Sequence, residues 1–142
     1  MNIQPIITEE TYNAPAGKVW NALTDKEQMK QWYFDIPEFK AENGAEFSWY
    51  EPGENRKFLH KAQITKIEPN KLLQHSWYYP ELSRGKSTVS WELEPQGDQT
   101  RLRLTHEGLE NFSDGGPDLD RKNFEAGWQD ILGRSLREFV EK

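Results

Sequence analysis

The chain has 142 residues, with 24 acidic against 18 basic for a net charge of −6, and no Lys/Arg run long enough to follow a phosphate backbone, so nucleic acid is not an expected partner. Cysteine is absent, which removes a disulfide framework and any thiolate nucleophile, and no run approaches the ~18 apolar residues of a membrane span. The segment MNIQPIITEE lacks the basic-then-apolar order of a secretion signal, so a cytoplasmic protein without membrane insertion is expected, as one domain over residues 1–142.

Only 35% of the residues are hydrophobic and the mean hydropathy is −0.97, yet the chain holds six Trp, five Tyr and seven Phe. Each such ring buries roughly 150–250 Å². Aromatic side chains therefore supply the core area that aliphatic ones supply elsewhere.

Residues Ile3 to Tyr12 alternate loosely and are rich in Ile and Thr, as in an outer strand. Asn13-Ala14-Pro15 predicts a helix start with Asn13 as cap, carrying Val19, Trp20 and Leu23 on one face. Thr24-Asp25 ends it, and Asp25 with Gln28 has capping-box spacing for a second short helix with Met29 and Trp32 on its apolar side. From Phe34 to Leu109 the apolar period changes to two.

Strands are predicted over Ala45 to Tyr50, Lys57 to Glu68, Lys71 to Tyr79, Lys86 to Glu94 and through Arg101 to His106, separated by turns at Pro52-Gly53, Pro69-Asn70 and Pro95-Gly97. On one face they carry Phe47 and Trp49; Leu73, His75 and Trp77; Val89, Trp91 and Leu93; and Leu102, Leu104 and His106. Glu110 to Asp120, with Gly115-Gly116-Pro117, reads as a loop, and Asp118 or Asp120 as the cap of a final helix. Along that helix Phe124, Trp128, Ile131, Leu132, Leu136 and Phe139 form a stripe.

The order of elements, with VWNALTD and Trp32, IEPNKLLQHSW, STVSWELEP, TRLRLTHEGL and GWQDILGRSL, resembles the activator of heat-shock-protein ATPase homologue-like family of the START-like SRPBCC superfamily. The resemblance runs from about Ile7 to Phe139. It implies an α+β helix-grip fold: a curved antiparallel sheet of six or seven strands wrapped on a long C-terminal helix, with two short helices after the first strand. It also implies that Trp20 and Trp32 pack those helices under the sheet. A superfamily of carriers, receptors, cyclase-like enzymes and chaperone cofactors leaves function open. Gln74-His75-Ser76 departs from the plainer apolar run usual before that Trp.

The expected function is non-enzymatic binding of a small hydrophobic or amphipathic ligand between sheet and C-terminal helix, without cofactor or metal. Its cavity wall would comprise Trp49, His60, His75, Trp77, Val89, Trp91, Leu104, His106, Phe124, Trp128 and Ile131. His75, Tyr78 or His106 would fix the polar end of the ligand, and Glu110 to Asp120 would form the gate. A chaperone is the alternative partner, with a link to stress response, and a cyclase- or hydrolase-like enzyme using a cavity histidine is the third reading.

The bland account of the three histidines is that each is satisfied inside the core, because no HxH or HxxxH spacing brings two ligands together. His106 and Glu107 are strand neighbours pointing to opposite faces and so form no acid/base dyad. Gly108 lets the strand end turn. Glu42, Glu46, Glu51 and Glu54 read as a solvated hairpin face rather than a calcium loop. Gly127 inside the last helix predicts a close approach of the backbone, or room for the neighbouring Trp128 indole.

Overall fold

A computed structural model describes residues 4–33, 36, 39–50, 59–81, 83–112 and 121–141. The start of the first predicted strand at Ile3, the Pro52-Gly53 turn with Glu51 and Glu54, the start of the third predicted strand at Lys57, and the Gly115-Gly116-Pro117 loop with Asp118 and Asp120 lie outside those residues.

Six strands form one open antiparallel sheet: β1 (Ile6–Tyr12), β2 (Glu46–Tyr50), β3 (Leu59–Glu68), β4 (Leu72–Tyr78), β5 (Lys86–Gln96) and β6 (Gln99–Glu107), in spatial order β1-β6-β5-β4-β3-β2. β2 to β6 are a meander, and β1 returns to pair with β6, Ile6 opposite His106 and Tyr12 opposite Thr100. Alternation sets the faces. In β4 Leu73, His75 and Trp77 are buried while Leu72, Gln74, Ser76 and Tyr78 are half-exposed.

Gln74 and Ser76, the polar departure noted in the sequence, thus sit on the outer face. There Gln74 Nε2 donates to Ser90 Oγ (3.1 Å), Thr65 Oγ1 donates to Gln74 Oε1 (3.1 Å), and Ser76 Oγ accepts from the Gln63 amide (2.9 Å). His75, between them, is the one polar member of that run on the inner face.

The helices α1 (Ala16–Thr24) and α2 (Lys26–Trp32) bury Val19, Trp20, Ala22, Leu23, Met29 and Trp32. Pro15, not Asn13, occupies the cap position of α1, with no side-chain cap bond. Asp25 caps α2 through the Glu27 amide (3.0 Å). Gln28 reaches the Asp25 carboxylate rather than its backbone amide, which already bonds the Asn21 carbonyl, so the reciprocal half of a capping box is missing.

β5 runs through Pro95 to Gln96, past its predicted end, and the turn is Gly97-Asp98. β4 last pairs with β5 at Glu92, so Pro95 lies where the strand has a partner on one side only, and its missing N–H is tolerated. A 3₁₀ turn over Leu109–Phe112 follows β6. The C-terminal rod consists of α3 (Arg121–Asp130), a π turn (Ile131–Leu136) and α4 (Arg137–Val140). Trp128, Leu132, Leu136 and Val140 are its buried stripe, while Phe124, Ile131 and Phe139 are half-buried.

Among the described residues no helix is long and apolar enough to cross a membrane, and no group of three or more His, Cys, Asp or Glu is arranged to hold a metal ion.

Candidate functional site

The concave side of the sheet has two parts. The first lies against the C-terminal rod and is filled by rings. Trp128 meets Trp77 edge-on (centroids 5.3 Å apart) and Trp91 likewise (5.5 Å), and Phe124 stands edge-on to His106 (5.2 Å). The indole Nε1 of Trp128 donates to His106 Nδ1 (3.0 Å). His106 Nε2 therefore carries the proton and donates to Ser87 Oγ (2.8 Å), whose hydroxyl donates to the Trp77 carbonyl (2.8 Å). This chain ties rod, β6, β5 and β4 together with no ring nitrogen left over. Burial lowers the His106 pKa to about 3, with a smaller push from His75.

One end of this part is latched by backbone. Asn111 donates through Nδ2 to the Lys86 carbonyl (2.8 Å), and its own carbonyl lies 1.8 Å from where a Cβ on Gly85 would be. Gly108, at φ +86°, supplies the reversal that brings Asn111 there. Leu109 and Phe112 are buried, and Phe112 stacks on Phe124 (6.0 Å). The described beginning of the expected gate is thus anchored in the core.

The second part lies under α1 and α2. Here Leu23, Met29, Trp32, Tyr33, Phe39, Phe47, Trp49, Leu73, His75 and Trp91 surround a pocket with ≈ 10 Å³ of open space, room for one water at most. No lining side chain is an acid, a Lys or an Arg. Trp32 stacks on Tyr33 (4.9 Å) and meets Trp91 edge-on (6.4 Å), while its indole N–H is held by the Ala22 carbonyl (2.8 Å). Trp91 donates from Nε1 to His75 Nε2 (3.1 Å), so His75 carries its proton on Nδ1 and gives it to the Ser76 carbonyl (2.9 Å). Burial lowers the His75 pKa to about 4. His75 is neutral near pH 7, and its bonds already occupy both ring nitrogens.

Of the residues expected to line a ligand cavity, Trp49, His75 and Trp91 border this pocket. Trp77, His106, Phe124 and Trp128 belong to the ring-filled part, and Val89 and Leu104 are buried without lining the pocket. His60 is buried beside it, stacked on Trp49 (5.0 Å, 14° between planes). Ile131, half-buried on the π turn, is off the buried stripe. Tyr78, expected to hold a polar ligand end, points to the outer face, where Lys86 Nζ lies 4.7 Å from its ring centre. Strand parity turned it away. Leu23, Met29, Tyr33, Phe39, Phe47 and Leu73 line the pocket without having been singled out as ligand contacts; Leu23, Met29, Phe47 and Leu73 were legible only as core, and Tyr33 and Phe39 carried no signal of their own. Gly127 makes no close approach, since a Cβ there would meet nothing within 4 Å.

An open antiparallel sheet gripping a long C-terminal helix, with two short helices closing the other end, defines a helix-grip protein. The chain belongs to the family described as Activator of Hsp90 ATPase homolog 1-like protein, whose model matches residues 13–141. Among solved structures it is similar to CalU16 from Micromonospora echinospora (26% identity, TM-score 0.74, covering 96% of this chain and 75% of that one). It is similar also to protein BH1534 from Bacillus halodurans (25%, TM-score 0.75, 99% and 100%) and to a structure described as the Aha1 dimer from Colwellia psychrerythraea (25%, TM-score 0.72, 98% and 97%). No curated protein matches the chain.

Proposed function

We propose that the protein binds a small, uncharged, apolar or amphipathic molecule in the pocket between the two short helices and β2 to β5, not in the groove against the C-terminal rod. The observation that carries this reading is the lining: nine apolar or aromatic residues and one neutral histidine ring, without a charged side chain. With ≈ 10 Å³ open, entry requires the α2 side to move away from β2. A ligand would gain about 25 cal/mol per Å² of apolar surface removed from water, less the cost of that movement.

The test combines two measurements. Native mass spectrometry of protein purified gently from its own cells is expected to show an adduct above 16.7 kDa that is released on unfolding. Titration with neutral N-phenyl-1-naphthylamine is expected to tighten in Phe47→Ala, which enlarges the pocket, and to weaken in Leu73→Trp, which fills it. Binding indifferent to both substitutions would overturn the reading.

The ring-filled contact between sheet and rod favours a second reading in which the outer surface engages a chaperone ATPase, as the family description suggests. Stimulation of such an ATPase that survives Leu73→Trp would select it.

A further inference from the structure

We propose that Tyr12 and the π turn form a register lock on the C-terminal rod. The Tyr12 hydroxyl fixes where along the rod one extra residue is accommodated, and so whether Trp128 faces the sheet.

The apolar positions of the rod, Phe124, Trp128, Leu132, Leu136 and Val140, recur strictly every four residues. In an α-helix each step of four overshoots a full turn by about 40°, so such a stripe winds off the sheet within a few turns. A wider i→i+5 turn takes up the surplus. With the π turn at Ile131–Leu136, Trp128 on one side and Leu136 and Val140 on the other are buried together.

Where i→i+5 pairing returns to i→i+4, the amides pass over one carbonyl, so a carbonyl of the turn needs a donor from outside the helix. Tyr12 supplies one: its hydroxyl donates to the Leu132 carbonyl (2.7 Å) from a wholly buried ring. Arg137 lies over that ring (5.1 Å) and is held by Glu10 (2.5 Å). Without the hydroxyl the wide turn is free to migrate, and each step past a side chain rotates it by about 100°. One such step past Trp128 removes its indole from His106 and its ring from the back of Trp91. The effect on the pocket, which Trp91 lines, rests on the ligand reading above; the lock does not.

The experiment needs no ligand. Hydrogen exchange of the indole N–H groups is followed by NMR in Tyr12→Phe, with Trp32, bonded to the Ala22 carbonyl under α1, as internal reference. Protection of the Trp128 indole is expected to fall about ten-fold or more relative to Trp32. Equal loss at both, or loss at neither, overturns the proposal.

A second variant adds deletion of Gly133, whose Cβ position meets only Glu10 Oε2 at 3.7 Å, so that no side-chain packing is lost. The deletion converts the apolar spacing to four, four, three and four, which an α-helix keeps on one face. Protection of Trp128 is expected to return in the double variant. An unfolded double variant, or one with Trp128 still unprotected, overturns the lock even where Tyr12→Phe alone does not fold.

Discussion

The interior uses the same device twice, a tryptophan indole donating to a buried neutral histidine, with different surroundings. Trp128–His106 sits between rod and sheet, and its proton chain runs on through Ser87 to the Trp77 carbonyl, with rings on every side. Trp91–His75 ends at the Ser76 carbonyl of its own strand and borders the pocket. The first pair joins four elements and fixes where the rod lies. The second stiffens one wall of the space under the short helices. A buried histidine in this fold is thus a packing group, and its neighbours decide whether it seals or merely lines.

The most severe way to break the sealed side is Gly85→Ala. Its Cβ would enter the Asn111 carbonyl, a backbone atom, and the cost is expected to exceed about 4 kcal/mol. The check is recovery of folded protein, with Gly127→Ala prepared in parallel.

Acid tests both pairs together. Each histidine is neutral in the folded state, with its pKa lowered from 6.5 to about 4 (His75) and about 3 (His106), whereas the unfolded chain takes up a proton on each as pH falls through 6.5. The unfolded state therefore binds more protons, and stability present above pH 6.5 is lost on acidification. The slope is about 1.4 kcal/mol per pH unit per histidine, or about 3 for the two between pH 6 and 4. Urea midpoints across that window measure it, and a flat profile contradicts the assigned protonation.

Replacing one donor at a time separates the pairs. Trp128→Phe keeps a ring but leaves His106 Nδ1 without a partner in a dry site, for an expected loss of about 3 kcal/mol. Trp91→Phe is expected to cost about 2 kcal/mol, because a water entering the pocket can bond His75 Nε2 in place of the indole. Equal losses in denaturant would show that the pocket gives no relief. The smallest effect has the opposite sign: Gly127→Ala is expected to stabilise by up to about 1 kcal/mol, read as a higher Tm, since the new methyl meets nothing.

Much of this architecture was legible in the chain because alternation determines parity. His75, Trp77, Trp91, Leu104 and His106 share the concave face because the period-two pattern puts them there. Parity does not say which indole meets which imidazole, because that depends on register and on where the rod crosses. It also does not say whether a concave face encloses space: eighteen rings can wall a cavity or fill it, and here they leave one small pocket at the α2 end among the described residues. The reading of the rod as uniform α-helix placed Ile131 and Phe139 on the core stripe. The strict spacing of four from Phe124 to Val140 held the contrary signal, and it favours Leu132, Leu136 and Val140 once a wide turn is allowed.

The pairing of β1 with β6 has a consequence for the making of the protein. Ile6 and His106 lie opposite each other although 100 positions separate them in sequence. A ribosome adding roughly 5–20 residues per second takes on the order of five to twenty seconds to reach the partner after β1 has been made. During that time an Ile/Thr-rich strand waits with both edges open, while β2 to β5 zip together hairpin by hairpin. The rod, which caps β1 through Arg121 to the Gln4 and Pro5 carbonyls and Arg137 to that of Thr11, comes later still. Of the six strands of this sheet, β1 is made first and is among the last to be paired, because its partner β6 is made last of the six.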